Sequence, residues 1–459
     1  MKRTPTPAAQ PNQWPMVVAA GLILFMINID VFTVATVIPA ITADFQVSPA
    51  AAQWAVLGFT LPAIALVIPA GTWLTTVGRR PALLLSVGGF AALGAGVALA
   101  PDIGWLIAAR FLQGGFAAIT FVLLPLIAAE SVAPALRGRA MGLVFAIGPA
   151  GGVAGPVLAG LLADQFGWRA AFLLNLPVAA AILAIAARRP RTAPLRAPDR
   201  SALVQVAYLL VAAAAALTSL TLAVEIDPVW LSLLIITVPA VIAWLRTGSG
   251  RDVRLLFGAA RAPLLSLAAQ SSVQLVLLLM IPFFLTRELH ADQTQVGLPG
   301  MLLAATMAAT SLAAGWLTDA WGARPTAALG MAVTTGGAAA FAFLDPAWTL
   351  GDVLWRIAIV GIGVGLYAGA QTAMTLAATP PHLVSTASGT LSLVRQSALA
   401  VAPSLATLAW GLAGYTLAGM RGVLAGAAAI GLLGFLALAA SGGRAPASQR
   451  PRVRDRATS

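Results

Sequence analysis

Residues 71–81 read GTWLTTVGRRP, and residues 315–325 read GWLTDAWGARP. Gly71, Gly78, Arg80 and Pro81 of the first stretch recur as Gly315, Gly322, Arg324 and Pro325, at one constant offset. In each copy a long apolar run ends, a short basic turn follows, and another apolar run begins. A chain that repeats such a turn after half its length is built from two equivalent halves. The flanking runs, at roughly 20 residues each, are long enough to cross a hydrocarbon layer of ~30 Å as helices.

Working outward, the same punctuation divides the chain into fourteen apolar runs. Six lie at about 16–40, 52–77, 82–100, 104–129, 140–163 and 169–187. Two follow at 202–224 and 228–245, and six more at 263–286, 296–318, 325–344, 353–378, 387–412 and 418–440. Only 9% of the 459 residues are charged and 59% are hydrophobic, whereas a soluble domain carries about 25% charged residues. No water-facing shell can be assembled from this composition. A secreted enzyme, a nucleic-acid-binding domain and a disordered scaffold are thereby excluded.

Lipid leaves backbone groups no partner but the chain itself, so the runs are expected to be helices. The expected fold is an all-α polytopic membrane protein with 14 transmembrane helices. Two six-helix bundles span 16–187 and 263–440, and an inserted helix pair spans 201–246. Basic cytoplasmic segments at 188–200 and 247–262 join them, with tails at 1–15 and 441–459. The inserted pair carries few polar residues and is expected at the lipid-facing periphery. The first run is too long for a signal-peptide core and is expected to be retained.

Charge fixes the orientation. Of the 27 Lys and Arg residues, 21 fall on the side that holds both termini, and Arg169, Arg287 and Arg421 fall on the other. The remaining three, Arg110, Arg356 and Arg395, lie within runs. The positive-inside rule places both termini in the cytoplasm, so the net charge of +12 reflects topology rather than affinity for nucleic acid. With no cysteine and only His290 and His382, neither a disulfide framework nor a thiolate or histidine metal site is expected. No Walker loop or nucleophile elbow is present, so neither ATP-driven pumping nor hydrolysis has residues to perform it, and no enzyme is expected.

Of the fifteen acidic residues, Asp30 alone falls deep inside a run, at a cost of ~2.5–3.5 kcal/mol on insertion scales. An acid there suits proton exchange or pairing with a cationic solute; the alternative is a carboxylate tied to a neighbouring helix for packing. Arg110, in Arg110-Phe111-Leu112-Gln113-Gly114, and Arg395, followed by Gln396, are placed to bind an anion or relay a proton, or else to snorkel toward the interface. Arg356 reads as an interfacial anchor. Gln270 and Gln274 share a helical face at i, i+4, as do Tyr367 and Gln371; each pair lines a cavity or bonds between helices. From Gly148 to Gly160, around Gly151, Gly155 and Pro156, thirteen residues hold five glycines and two prolines. Such a stretch predicts a close, deformable contact between the two halves.

Together these motifs resemble the major facilitator superfamily, specifically its fourteen-helix drug/proton antiporter branch, over residues 16–440. Gly71…Gly78-Arg79-Arg80 is similar to the family's loop motif between helices two and three, and Arg110 to Gln113-Gly114 is similar to its helix-four motif. Gly151…Gly155-Pro156…Gly160 resembles the helix-five motif of exporters. Asp30…Pro39 resembles the helix-one signature of the branch, and Gly167-Trp168-Arg169…Asn175-Leu176-Pro177 another of its stretches. The resemblance implies a proton-coupled exporter of small lipophilic or cationic compounds that works by alternating access, powered by the proton gradient without a cofactor.

It implies proton coupling through Asp30 and Arg110. It also implies conformational roles for Gly71, Gly78, Arg79, Arg80, Gly151, Gly155, Pro156, Asp319, Gly322 and Arg324. Taken with the helical faces above, the substrate cavity is expected to be lined by Asp30, Gln113, Gln270, Gln274, Tyr367, Gln371 and Arg395. The loop motif of the family carries an acid and a base where this chain has Thr75 and Thr76, whereas the second copy keeps Asp319. An inner gate held less tightly, or held through Asp319, is therefore expected. Phe32 and Ala35 stand where the helix-one signature has Thr and Asn, and Ala159 stands for a glycine. Expected partners are the lipid bilayer, a small-molecule substrate and protons, with no nucleic acid and a monomeric state. The expected site is a bacterial cytoplasmic membrane. A dedicated transporter of one metabolite (a peptide, sugar, siderophore or organic anion) and a non-transporting receptor or assembly factor are the alternatives, since fold alone does not assign function.

Overall fold

The computed structural model describes residues 12–47, 49–188, 194–225, 227–291 and 293–440. Most of the expected N-terminal tail, all of the 441–459 tail and the middle of the 188–200 segment lie outside them. The described chain is helical throughout: α1 (Trp14–Phe45), α2 (Pro49–Trp73), α3 (Arg79–Ala98), α4 (Ile103–Glu130), α5 (Arg137–Phe166), α6 (Trp168–Ala171), α7 (Asn175–Ala187), α8 (Arg200–Glu225), α9 (Leu234–Leu245), α10 (Gly248–Arg287), α11 (Gln293–Trp321), α12 (Ala323–Phe341), α13 (Leu350–Ala378), α14 (Val384–Leu412) and α15 (Leu417–Ala440). Among the described residues, twelve helices are long and apolar enough to cross a membrane, or thirteen if one bent pair counts as a single span. The fold is that of a multi-pass membrane protein.

Where polar residues interrupt the apolar pattern they end helices. Asp102 accepts from the backbone N–H of Trp105 at 2.8 Å to open α4, and Thr349 with Asp352 forms a capping box on α13. Gly167 (φ +80°) ends α5, and Gly322 (φ +99°) separates α11 from α12, both in a left-handed region that favours glycine.

Three expectations about elements need correction. The basic stretch 247–262, read as a loop, is helical from Gly248 to a kink at Ala260, where it runs on into α10. Ser249, Val253, Leu256 and Ala260 are buried on one face while Arg251, Arg254 and Arg261 are exposed, so this is a short amphipathic helix whose charges masked its period. The run at 228–245 opens as a 3-10 turn, Pro228–Leu233, before α9, and bends by 90° into the helix that follows. The run at 169–187 is broken into α6, a 3-10 turn and α7.

Helices α1 to α7 pack among themselves, as do α10 to α15. The two groups meet where α5 lies along α11 and α13, and where α2 and α4 lie along α14; α8 leans on α2 and α14. Close approaches between groups are seen toward the end that carries the two repeat turns, here called the turn face, where Gly71 meets Ser385, Gly138 meets Asp319 and Gly142 meets Gly315. Near the far face an apolar cleft of about 360 Å³ parts Val153 of α5 from Leu298, Met301, Leu302 and Ala305 of α11 and Leu354 of α13. The close approaches between groups thus lie toward the turn face, and the cleft toward the other.

Candidate functional site

Asp30 lies midway along α1, and its side chain is wholly enclosed. Its Oδ2 accepts from Arg110 Nη1 at 2.6 Å, and its Oδ1 accepts from Gln113 Nε2 at 3.1 Å and Asn175 Nδ2 at 2.9 Å. Arg110 and Gln113 share a face of α4 at i, i+3. Arg110 also donates to Gln113 Oε1 at 2.7 Å and to the Ala55 carbonyl at 2.9 Å, with Phe59 under its guanidinium at 4.5 Å. Gln113 donates further to the Phe90 carbonyl at 3.3 Å. Asn175 reaches the acid because the break after α6 makes it the first residue of α7.

The charges cancel within one network that joins α1, α2, α3, α4 and α7. A buried ion pair is tolerable only when such bonds satisfy both partners. Asp30 and Gln113 therefore do not line an open cavity, as was expected; they are closed inside the first helix group. Asn175 was missed as a site residue, since the apolar run 169–187 hides the helix start at which it stands.

The second group carries a different polar cluster. The Tyr367 hydroxyl and Ser266 Oγ lie 2.7 Å apart and bridge α13 to α10. One turn away on α10, Gln270 donates to Thr334 Oγ1 of α12 at 3.0 Å. One turn away on α13, Gln371 donates to the Pro263 carbonyl and to Thr375 Oγ1, each at 3.2 Å. The carboxamide oxygens of Gln270 and Gln371 are buried with no partner among the described residues. Gln274 is half-buried and stands apart from this cluster. Arg395 of α14 is half-buried, and its guanidinium lies 5.3 Å from the Phe145 ring of α5, across the seam between the groups. Ser266 and Thr334 were not legible as members of this cluster. Arg356, expected as an interfacial anchor, pairs with Asp352 at 3.5 Å and stacks on Trp348 at 3.7 Å.

At the turn face the two repeats behave alike in one respect and differently in another. Arg80 donates to the carbonyl of Ala187, at the end of α7, at 3.1 Å. Arg324 donates to the carbonyls of Leu438 and Ala439, at the end of α15, at 2.8 and 2.9 Å. Each repeat arginine so caps the last helix of its own group, where a cation meets the negative end of the helix dipole.

The acid differs. Asp319 accepts from the backbone N–H of Gly138 at 2.9 Å and of Arg139 at 3.3 Å, and pairs with the Arg139 guanidinium at 3.2 Å. It caps the start of α5 from the opposite group. Thr75 and Thr76 instead donate to carbonyls of their own turn, Thr72 and Trp73. That seam is left with Gly71 close under the Ser385 carbonyl and with Arg79, which contacts Glu130 at 3.3 Å and Ser385 Oγ at 3.4 Å. Gly78 is extended (φ −69°) and, unlike Gly322, has no conformational need to be glycine.

The glycine-proline stretch of α5 does not join the two halves. Gly148 packs on Leu24, Gly151 on the Phe25 backbone, and Gly155 on Ile29, while Asn28 Nδ2 donates to the Gly148 carbonyl at 2.9 Å. All of these are α1 residues. The close approach between groups uses α5's first turns, where Gly138 and Gly142 meet Thr318, Asp319 and Gly315.

The sequence model described as Major Facilitator Superfamily matches residues 20–403 and 264–458. Multidrug resistance protein Stp of Mycobacterium tuberculosis is 38% identical over 167 residues, 36% of this chain and 31% of that protein. The match spans about a third of the length of that relative. The Probable actinorhodin transporter of Streptomyces coelicolor is 30% identical over 412 residues, 82% of this chain and 69% of that protein. Among solved structures, the human organic anion transporter MFSD10 (TETRAN) superposes with a TM-score of 0.67 at 18% identity, covering 94% of this chain and 100% of that one; that likeness concerns the fold. The chain belongs to the major facilitator superfamily.

Proposed function

We propose that the chain is a proton-coupled exporter of small lipophilic compounds that works by alternating access, powered by the proton gradient, with no cofactor and no enzymatic step. The single observation that carries this reading is the enclosed pair of Asp30 and Arg110. A proton arriving from the far face neutralises Asp30, and Arg110 then loses its counter-charge. The network shared by α1, α4 and α7 must repack, and that repacking favours the opposite opening of the two groups. Solute and proton each bias one state, which is the condition for coupling. The names of the relatives, a multidrug resistance protein and an antibiotic transporter, support export of such compounds.

In this reading all fourteen apolar runs span the membrane as two bundles, 16–187 and 263–440, with α8 and α9 as an inserted peripheral pair. The turn face and both termini are cytoplasmic, in a bacterial cytoplasmic membrane, and the chain works as a monomer. A second reading, a dedicated transporter of one acidic metabolite, is favoured by Arg395, a cation at the seam without an acidic partner among the described residues. A growth panel separates the two, since a multidrug exporter protects cells against several unrelated compounds.

The test uses inverted membrane vesicles, energised and loaded with a pH-sensitive dye, carrying wild type or Asp30→Asn. Added solutes release protons from the wild-type vesicles, and Asp30→Asn, though folded, stays silent. Full proton-driven transport by Asp30→Asn would falsify the assignment.

A further inference from the structure

Among the described residues, every buried or half-buried arginine of the two helix groups has a carboxylate or carbonyl partner, with one exception. Arg110 is held by Asp30 at 2.6 Å, Arg139 by Asp319 at 3.2 Å, and Arg356 by Asp352 at 3.5 Å. Arg395 has neither a carboxylate nor a carbonyl hydrogen-bond partner among the described residues; its guanidinium lies 5.3 Å from the face of the Phe145 ring. It lies eleven residues into α14, roughly 16 Å from the turn face at 1.5 Å per residue. A guanidinium has five N–H donors, and a ring face attracts its charge without accepting them in a directed way. A cation so deep in a membrane protein with no acceptor is expensive and marks a solute or ion path.

The acceptors that a cationic solute would need are not open to it. Both oxygens of Asp30 are taken by Arg110, Gln113 and Asn175, and the side chain has no exposed surface. What stands ready in the second group is Arg395, half-buried and without a carboxylate or carbonyl partner among the described residues; the carboxamide oxygens of Gln270 and Gln371 lack donors but are as enclosed as Asp30. These flank the Ser266–Tyr367 bridge on either side.

We propose that Arg395 is the charge-selecting residue of the solute site, and that the site takes amphiphiles carrying one carboxylate or similar planar anion, rather than lipophilic cations. The guanidinium fork matches a carboxylate in two parallel hydrogen bonds. The body of the solute packs against the Phe145 ring, which already faces the guanidinium. A cationic head brought to the same place meets a like charge in a poorly solvated site, which excludes it. This assignment rests on the exporter reading for the meaning of the site, and its test does not depend on transport.

The experiment measures equilibrium binding to the full chain in neutral phosphatidylcholine nanodiscs, using 2-naphthoate and 2-naphthylmethylammonium as probes of equal shape and opposite charge. Wild type binds the naphthoate about tenfold or more tightly than the amine. Arg395→Gln loses that preference, and Arg395→Lys, which keeps the charge but not the fork, recovers part of it. Naphthoate that binds wild type no more tightly than the amine overturns the proposal, and this comparison needs no variant to fold. An unchanged preference in a folded Arg395→Gln overturns it as well. Naphthoate binding without any solute-driven proton movement in vesicles would leave the site standing and remove the exporter reading alone.

Discussion

Removing Arg110 by itself leaves an ionised Asp30 enclosed among apolar helices, with Gln113 and Asn175 as its remaining donors. Breaking a buried pair from one side is far worse than replacing both partners. Arg110→Gln is expected to lower resistance to unfolding in detergent by about 3–5 kcal/mol, and Asp30→Asn added to it to recover most of that loss. Equal loss in the single and double variants would show that the pair does not act as a unit. A second acid, Asp44, lies beyond the apolar part of α1. The hydrogen bond from Arg169, at 2.6 Å, and that from the Trp168 indole hold its carboxyl below the ordinary carboxylate range. A depressed carboxyl stabilises the folded form above its ordinary value of 3.8, and that contribution fades as pH falls through the lowered one. Melting curves of wild type should show this acid-side loss; Arg169→Gln should start lower at neutral pH and fall less on acidification. At this scale lone charges in apolar runs were legible, since nothing but function or a partner keeps them there. Asn175 was not, because its partner lies 145 residues away, and one polar residue near a helix start does not announce a distant acid.

Helix α5 shows how an element can be read correctly and placed wrongly. Its glycines predict close approach, which is found, but spacing along one helix does not say which neighbour approaches. The helix in fact has two contact surfaces. Gly148, Gly151 and Gly155 seat α1 within one group, and Gly138 and Gly142 seat α11 from the other. The two surfaces should respond differently to a methyl group. In Gly151→Ala the added carbon comes within 3.0 Å of the Phe25 Cα, with no flexible side chain to yield, and a loss of about 1–3 kcal/mol in stability is expected with the two groups still in contact at the turn face. In Gly142→Ala it comes within 3.0 Å of the Gly315 Cα, and relief is available by parting the groups. Spin labels on the turn-face ends of α5 and α11 should then report a longer distance for Gly142→Ala only, and the cysteine-free sequence lets such labels be placed singly. The apolar runs were legible as helices because each needs only length and hydropathy. The helix at Gly248–Ala260 was hidden because four buried positions must be picked out from a stretch dense in arginine.

For the molecule as a whole, the repeat predicts two equivalent seams, and the structure has two unequal ones. Asp319 caps α5 across the α5–α11 seam, while Thr75 leaves the start of α14 without an acid across the α2–α14 seam. Asp319→Asn should therefore raise the fraction of molecules open at the turn face, read as a longer α5–α11 label distance. Thr75→Asp should place a carboxylate near the positive end of α14, shift the balance the other way and slow solute turnover; a Thr75→Asp protein that turns over at the wild-type rate would show that the second seam does not limit opening. The unpaired charge of Arg395 reaches further than binding. If one anion leaves for each proton that enters, both movements carry current in the same direction, and a membrane potential of 100 mV contributes about 2.3 kcal/mol for each charge. Export would then be driven by voltage as well as by acidity, and would continue in a membrane whose pH gradient has collapsed while its electrical one survives.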